Sequence, residues 1–532
     1  MTRQLPSLLT PTHRLPSKSL PQRILIWITA LFDHSWRSLH RSGLFVPLTF
    51  AVIMLWRRPF TDAGDFDYDE GINLMKSLLY TLGYRLYADI WNDQPPLLTA
   101  LLSWWFRGVG ASVAAARVLI ALFSAALLWS FYLVLRRSVT LFAAAVAVTL
   151  LMLSEYYLRL SGAVMIGLPA LALAMVAVTL LLQGDGRKWS LIASALVMAA
   201  ACQTKLFVAA LFPAFALYFL AEGATGAGAP TWRQRLRHMT SWFAIVAVAF
   251  LAQGLYFQSL NVDLLVNSHL TAQASNQATA VADGINFFTN FYQQHGVYLV
   301  IALIGIIYAL RQRQRAVLFP LAWFLTAVVG LALHRPLWYH HVLLLTIPLC
   351  WLCAFGVEAW VQFLLKLIAQ QPWYTAPARV TLLATSAAAV IAALLLLPSP
   401  LFTRLSEQAS IYRPLYVWEV VQQLQEDEKQ HPGFVFTDRP FYAFKAELPV
   451  TPAMTVISSK RFKSGLITEE TMLDAFTEYK PEYVILQRFT NDYGDAVMGE
   501  IDSDYELVLE IGPARYYQRH EEKKNSLLDD AS

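Results

Sequence analysis

The sequence predicts an α-helical polytopic membrane protein with a small α/β domain at its C-terminal end. Three observations carry this expectation. Of 532 residues, 56% are hydrophobic and only 15% charged, where a soluble domain is roughly one-quarter charged. Mean hydropathy is +0.44. Beyond residue 398 the composition turns polar, and helix-like and strand-like pieces alternate. These values exclude intrinsic disorder, a coiled coil and a disulfide-rich secreted module. The net charge of +4 is scattered and points to no nucleic acid. The three cysteines, Cys202, Cys350 and Cys353, sit in apolar runs and read as packing residues.

Residues 1–42 are polar, proline-rich and basic. Their apolar stretch Ile24–Phe32 is too short to span a bilayer and reads as interfacial. No small-residue cleavage site follows it. About 11 crossings are expected, at 43–56, 113–135, 139–153, 163–182, 190–203, 205–221, 240–258, 297–310, 316–333, 342–363 and 380–397. Several are shorter than a bilayer needs, so either their ends extend into flanking residues or the count changes. Basic residues (Arg136–Arg137, Arg187–Lys188, Arg233 to Arg237, Arg311 to Arg315, Lys366 with Arg379) fall in every second loop. Those loops and the N-terminus are therefore expected in the cytoplasm, with the chain multi-pass in the inner (plasma) membrane. The alternate loops, and the domain at 399–532, then lie outside.

Two outer loops are long: 57–112, rich in Asp, Glu, Trp and Tyr, and 259–296, rich in Asn, Gln, Ser and Thr. Long ordered loops on a rigid frame tend to hold function. The tail is read as helices at Leu415–Glu428 and Glu469–Tyr479, with strands at Gly433–Thr437, Glu482–Gln487 and Tyr505–Glu510.

The first loop holds Asp62, Asp65, Asp67, Asp69 and Glu70, then Asp89 and Asp93. Its blocks read Asp69-Glu70-Gly71-Ile72-Asn73 and Tyr87-Ala88-Asp89-Ile90-Trp91-Asn92-Asp93-Gln94-Pro95-Pro96-Leu97. On charge alone this is a solvated acidic loop. A carboxylate at a membrane–water boundary also suits a general base that takes a proton from a hydroxyl.

The order of these blocks is more specific. Asp-Glu-Gly after the first crossing, Tyr-x-Asp and Pro-Pro-Leu some 20 residues on, then Gly110 and Ala116-Arg117, resemble the polyprenyl-phosphate-dependent glycosyltransferases. These include the protein O-mannosyltransferases of glycosyltransferase family 39 and the bacterial aminoarabinose transferases. The resemblance extends to Glu155–Pro169, Gln203-Thr204-Lys205 and Trp338-Tyr339-His340-His341, and covers about residues 43 to 400. It implies the type C glycosyltransferase fold and Asp69 as catalytic base beside Glu70. There are two departures. Gln94 stands where aminoarabinose transferases carry a lysine before Pro-Pro. Ala163-Val164-Met165-Ile166 stands where many relatives carry a second acidic residue.

The implied reaction moves a sugar from a polyprenyl phosphate to an acceptor hydroxyl on the outer face, by one inverting displacement. Its leaving phosphate needs cations or aligned dipoles. Arg117, Arg159, Lys205, His340 and His341 are the expected phosphate ligands, although a cation near a helix end also snorkels to headgroups. Tyr87, Asp89, Asp93, Gln94 and His269 are the expected substrate contacts. Trp91, Trp104, Trp105 and Trp338 suit an interfacial belt or a sugar face. No cofactor is certain from the sequence; a divalent metal stays open, with His269, Glu70, His340 and His341 as the plausible ligands, adjacent histidines being poor evidence for one. The acceptor is a glycan, a lipid or a protein. The alternative class is a transporter or flippase of a lipid-linked glycan, which would carry ionisable residues in mid-membrane and inverted halves.

Overall fold

The computed structural model describes residues 42–57, 64–184, 187–221, 230–260, 277–334, 337–370 and 415–520. The interfacial stretch near the N-terminus, the expected crossing at 380–397 and His269 lie outside them. The other ten expected crossings each fall on helical chain. In order the helices are α1 (Phe45–Arg57), α2 (Tyr68–Leu82), α3 (Leu97–Val109), α4 (Val113–Leu135), α5 (Leu141–Met152), α6 (Glu155–Leu160) and α7 (Gly167–Gln183). There follow α8 (Lys188–Thr204), α9 (Phe212–Ala221), α10 (Trp232–Tyr256), α11 (Gln277–Arg311), α12 (Leu318–Leu333) and α13 (Leu343–Gln370).

Among the described residues, five helical stretches are long and apolar enough to cross a membrane: Val113–Leu135, Trp232–Tyr256, Gly284–Arg311, Arg315–Leu333 and Tyr339–Leu367. α5 and α7, with 12 and 17 residues, fall short of the roughly 30 Å apolar layer at 1.5 Å per residue.

α13 is largely apolar and buried from residue 343 to residue 358, so that stretch lies inside the bundle. It packs on α11, α12 and α5. Gly305 of α11 and Gly356 of α13 let the two backbones touch, because a methyl group on either would overlap the other helix. At one end of the bundle, Arg235 and Arg315 donate to the terminal carbonyls of Leu220 and Ala221. These are residues that the charge asymmetry grouped on one side.

The tail builds α14 (Leu415–Glu428), β1 (Val435–Thr437), α15 (Pro440–Lys445), α16 (Ser459–Lys463), α17 (Glu469–Tyr479), β2 (Tyr483–Leu486), α18 (Asp495–Asp504), β3 (Tyr505–Ile511) and β4 (Ala514–Arg519). The sheet runs β1-β2-β4-β3, with β1 and β2 parallel and the other pairs antiparallel. The two helices end where the sequence places them. β4 was not anticipated: its Ala-Arg-Tyr-Tyr-Gln-Arg run is charged, and only pairing with β2 and β3 makes it a strand.

The domain docks on the first loop. Gly71 of α2 lies against Phe441 of α15, where a Cβ would come within 2.8 Å of the Phe441 nitrogen. Only a glycine permits that approach.

Candidate active site

α2 starts the site. Asp67 caps it, accepting from the Asp69 N–H at 3.0 Å, and Gly83 ends it in the left-handed region at φ 105°. Ile72, Met75 and Leu79 give it a buried stripe at helical spacing. The first turn thus presents Asp69 and Glu70 in different directions, and their fates differ.

Glu70 is fully buried. Arg117 of α4 forks onto it, Nε to Oε1 at 2.9 Å and Nη2 to Oε2 at 2.8 Å. The N–H groups of Phe66 and Val164 donate to the same carboxylate at 2.7 and 3.1 Å. Arg117 also donates to the Gly64 carbonyl and lies 4.3 Å over the Phe66 ring. This corrects two expectations. Glu70 is a structural partner and not an accessible catalytic group. Arg117 has no exposed surface for a lipid phosphate. Val164 belongs to the stretch without a second acid, and that stretch meets α2 through backbone: its carbonyl accepts from Asn73 at 2.9 Å.

Asp69 is accessible, and no described residue donates a hydrogen bond to its carboxylate. Its carboxyl is pushed up to about 6, first by burial among surrounding protein and next by the Asp67 carboxylate, against the pull of Lys205 and Lys76. Accessibility together with dense surroundings describes a recess. Lys205, at the end of α8, faces Asp69 and Asp93 across it, and its ammonium group donates no hydrogen bond to a described residue. Its Nζ stands 5.0 Å from the Phe207 ring.

The Tyr87–Gln94 turn brings Asp93 into the electrostatic field of Asp69 and Lys205. Tyr87 has φ 68° and donates to the Gln94 carbonyl at 2.7 Å. Asn92 accepts from Lys76 Nζ at 3.0 Å and donates to the same carbonyl at 2.8 Å. The Gln94 amide reaches Asp93 at 3.4 Å. Asp89 departs from expectation. It closes an exposed turn with Arg85 at 3.1 Å and belongs to no recess.

Tyr339 donates to Asp67 at 2.7 Å, and the Arg159 guanidinium covers its ring at 4.3 Å. Arg159 also donates to the Phe66 carbonyl at 2.9 Å. His340 and His341 follow, their ring centres 4.5 Å apart, both in the electrostatic field of Lys205. His341 Nδ1 takes the Trp338 N–H at 3.2 Å. Among the described residues no group of three or more His, Cys, Asp and Glu is placed to hold a metal. Trp91 lies under the Arg461 guanidinium at 4.7 Å, at the domain junction and not in a belt.

Sequence reading missed Lys76, Asn92, Tyr339 and Lys460. Asn92 and Tyr339 lie inside the quoted blocks and Lys76 three residues beyond one, but none carries a chemical signature until folded.

No protein-family model and no curated protein matches the chain. Solved structures do. ArnT from Cupriavidus metallidurans bound to undecaprenyl phosphate is similar over 88% of this chain and 97% of that one, with a TM-score of 0.62 and 13% identity. The same protein in the apo state covers the same shares, with TM-score 0.62 and 14% identity. This chain has the type C glycosyltransferase fold. That fold sets the helical bundle beneath a small mixed domain, with the first long loop between them, as described above.

Proposed function

We propose that the protein is a membrane glycosyltransferase that moves a sugar from a polyprenyl phosphate to an acceptor hydroxyl, with Asp69 as general base. The observation that carries this reading is the Asp69 carboxylate itself, accessible, without a hydrogen-bond donor among the described residues and facing Lys205. The same-fold ArnT structure that holds undecaprenyl phosphate supports a polyprenyl-phosphate partner.

In the proposed step the acceptor O–H gives its proton to Asp69 while its oxygen bonds to the anomeric carbon. The bond from that carbon to the phosphate oxygen breaks, and polyprenyl phosphate leaves with the electron pair. Lys205 is suited to the leaving charge as a point cation, and the neighbouring His340 and His341 can donate N–H groups to it. A single displacement inverts the anomeric centre. The location we propose is the inner membrane, with the recess on the outer face, because the basic loops gather at the opposite end. The sugar moved in this proposal is a hexosyl or pentosyl group.

The test is incubation of the purified protein with a panel of radiolabelled polyprenyl-phosphate sugars, following release of the lipid phosphate. Release by the wild type and its loss in Asp69→Asn is the expected result. Solute movement without cleavage of the sugar–phosphate bond would instead make the chain a transporter.

A further inference from the structure

Besides Phe441 and Arg461, further side chains of the C-terminal domain reach the loop that carries Asp69. Arg439 forks onto Asp65, Nε to Oδ2 at 3.0 Å and Nη2 to Oδ1 at 2.8 Å. Arg488 covers the Tyr68 ring at 4.1 Å. Lys460 Nζ lies 2.6 Å from Asp93 Oδ2. The first two grip the chain around the start of α2. The third acts elsewhere.

Asp93 adjoins Asn92, which accepts from Lys76. Lys76 stands two turns along α2 from Asp69, on the same face. Asp69 and Asp93 therefore both lie in the electrostatic field of Lys76, and Lys205 faces both. The charged groups around Asp69 are Asp67 from the cap, Lys76 from α2 itself, Asp93 from the Tyr87–Gln94 turn and Lys205 from the end of α8. Asp93 in turn meets Lys460 and the field of Arg461, both from α16. A second carboxylate opposes the ionisation that a base requires. Lys460 is half-buried at the place where that opposition is offset.

We infer that Lys460, from the soluble domain, is a positioning residue of the reaction site, neutralising Asp93 so that Asp69 faces a balanced set of charges. The inference rests on Asp69 being the base. It gives the C-terminal domain a part in setting the chemistry beyond covering the bundle.

The test is the pH dependence of kcat/KM in the full-length protein, using whichever radiolabelled polyprenyl-phosphate sugar the wild type turns over. A base must be ionised, so activity rises through its acid limb. Lys460→Met takes the ion-paired cation away from Asp93 and moves that limb to higher pH by about half a unit to one unit. Activity then falls about two- to fivefold near pH 6 and little near pH 8. Asp93→Asn moves the limb the other way, and Lys460→Arg leaves it in place. A limb that stays fixed in Lys460→Met, or that moves in the same direction in both variants, overturns the inference. Should Lys460→Met not fold, the sign of the Asp93→Asn shift decides: downward supports, upward or none overturns. Asp69→Asn separates the two readings, since near-normal transfer there removes the base itself, whatever Lys460 does.

Discussion

Glu70 and Arg117 close on each other at 2.8 and 2.9 Å with no exposed surface, joining the first turn of α2 to the first turns of α4. Two further backbone N–H groups complete the carboxylate's shell. One member of the Asp-Glu pair is thereby fixed in the frame, and its neighbour is aimed into the recess.

Removing either partner leaves a buried charge uncompensated, at a cost of about 3–5 kcal/mol. Glu70→Gln and Arg117→Met should each lower the melting temperature of the detergent-purified protein and abolish transfer. Unchanged thermal stability in both would show that the fork does not hold α2.

Asp69→Asn is expected to behave in the opposite way. The carboxylate accepts no hydrogen bond from the described residues, so stability should match the wild type. A lost general base lowers turnover by roughly a hundredfold to ten-thousandfold. In the wild type, kcat/KM should rise with pH through about 6, because the carboxyl pushed up to about 6 must lose its proton before it can accept one. A flat profile between pH 5 and pH 7, on the order of one unit either side of that value, would argue for another base.

Gly71→Val tests the docking of the domain. The new side chain meets Phe441 backbone at less than 3 Å, which forces α15 away from α2 at about 1–3 kcal/mol or more. Faster proteolytic release of the tail and loss of transfer are expected together. Normal protease resistance would show that α15 does not depend on that approach.

Lys205→Met and Asp89→Ala form a contrasting pair. Lys205 faces Asp69 in the recess, and losing a cation at a departing phosphate should cost on the order of a hundredfold in kcat. Asp89 only closes an exposed turn with Arg85, so Asp89→Ala should leave both kcat and KM unchanged. Equal effects of the two substitutions would undo this assignment of roles.

The bundle was legible because long uncharged runs have few alternatives in a chain, and the basic loops mark alternate ends. The tail helices at Leu415–Glu428 and Glu469–Tyr479 were legible for a similar reason, a clear local pattern. β4 was not, since its residues become a strand only beside Tyr483–Leu486. At the site, Asp69 stood out through its motif. The separate fate of Glu70 did not, because it depends on Arg117, 47 positions away. The roles of Lys460 and Arg439 depend on partners more than 360 positions distant. A charge says what a residue is able to do; which partner claims it is decided by tertiary contacts.

The press of Phe441 on Gly71 has a consequence for biogenesis. Helix α2 leaves the ribosome about 370 residues before the surface that seats it. A nascent or truncated product can thus enter the bilayer with its apolar helices in place and still hold Asp69 loosely. Competence for the proposed transfer would be acquired only after the residues around Phe441 have been made and docked, so chains that stop short of them would be inert toward any activated sugar they meet.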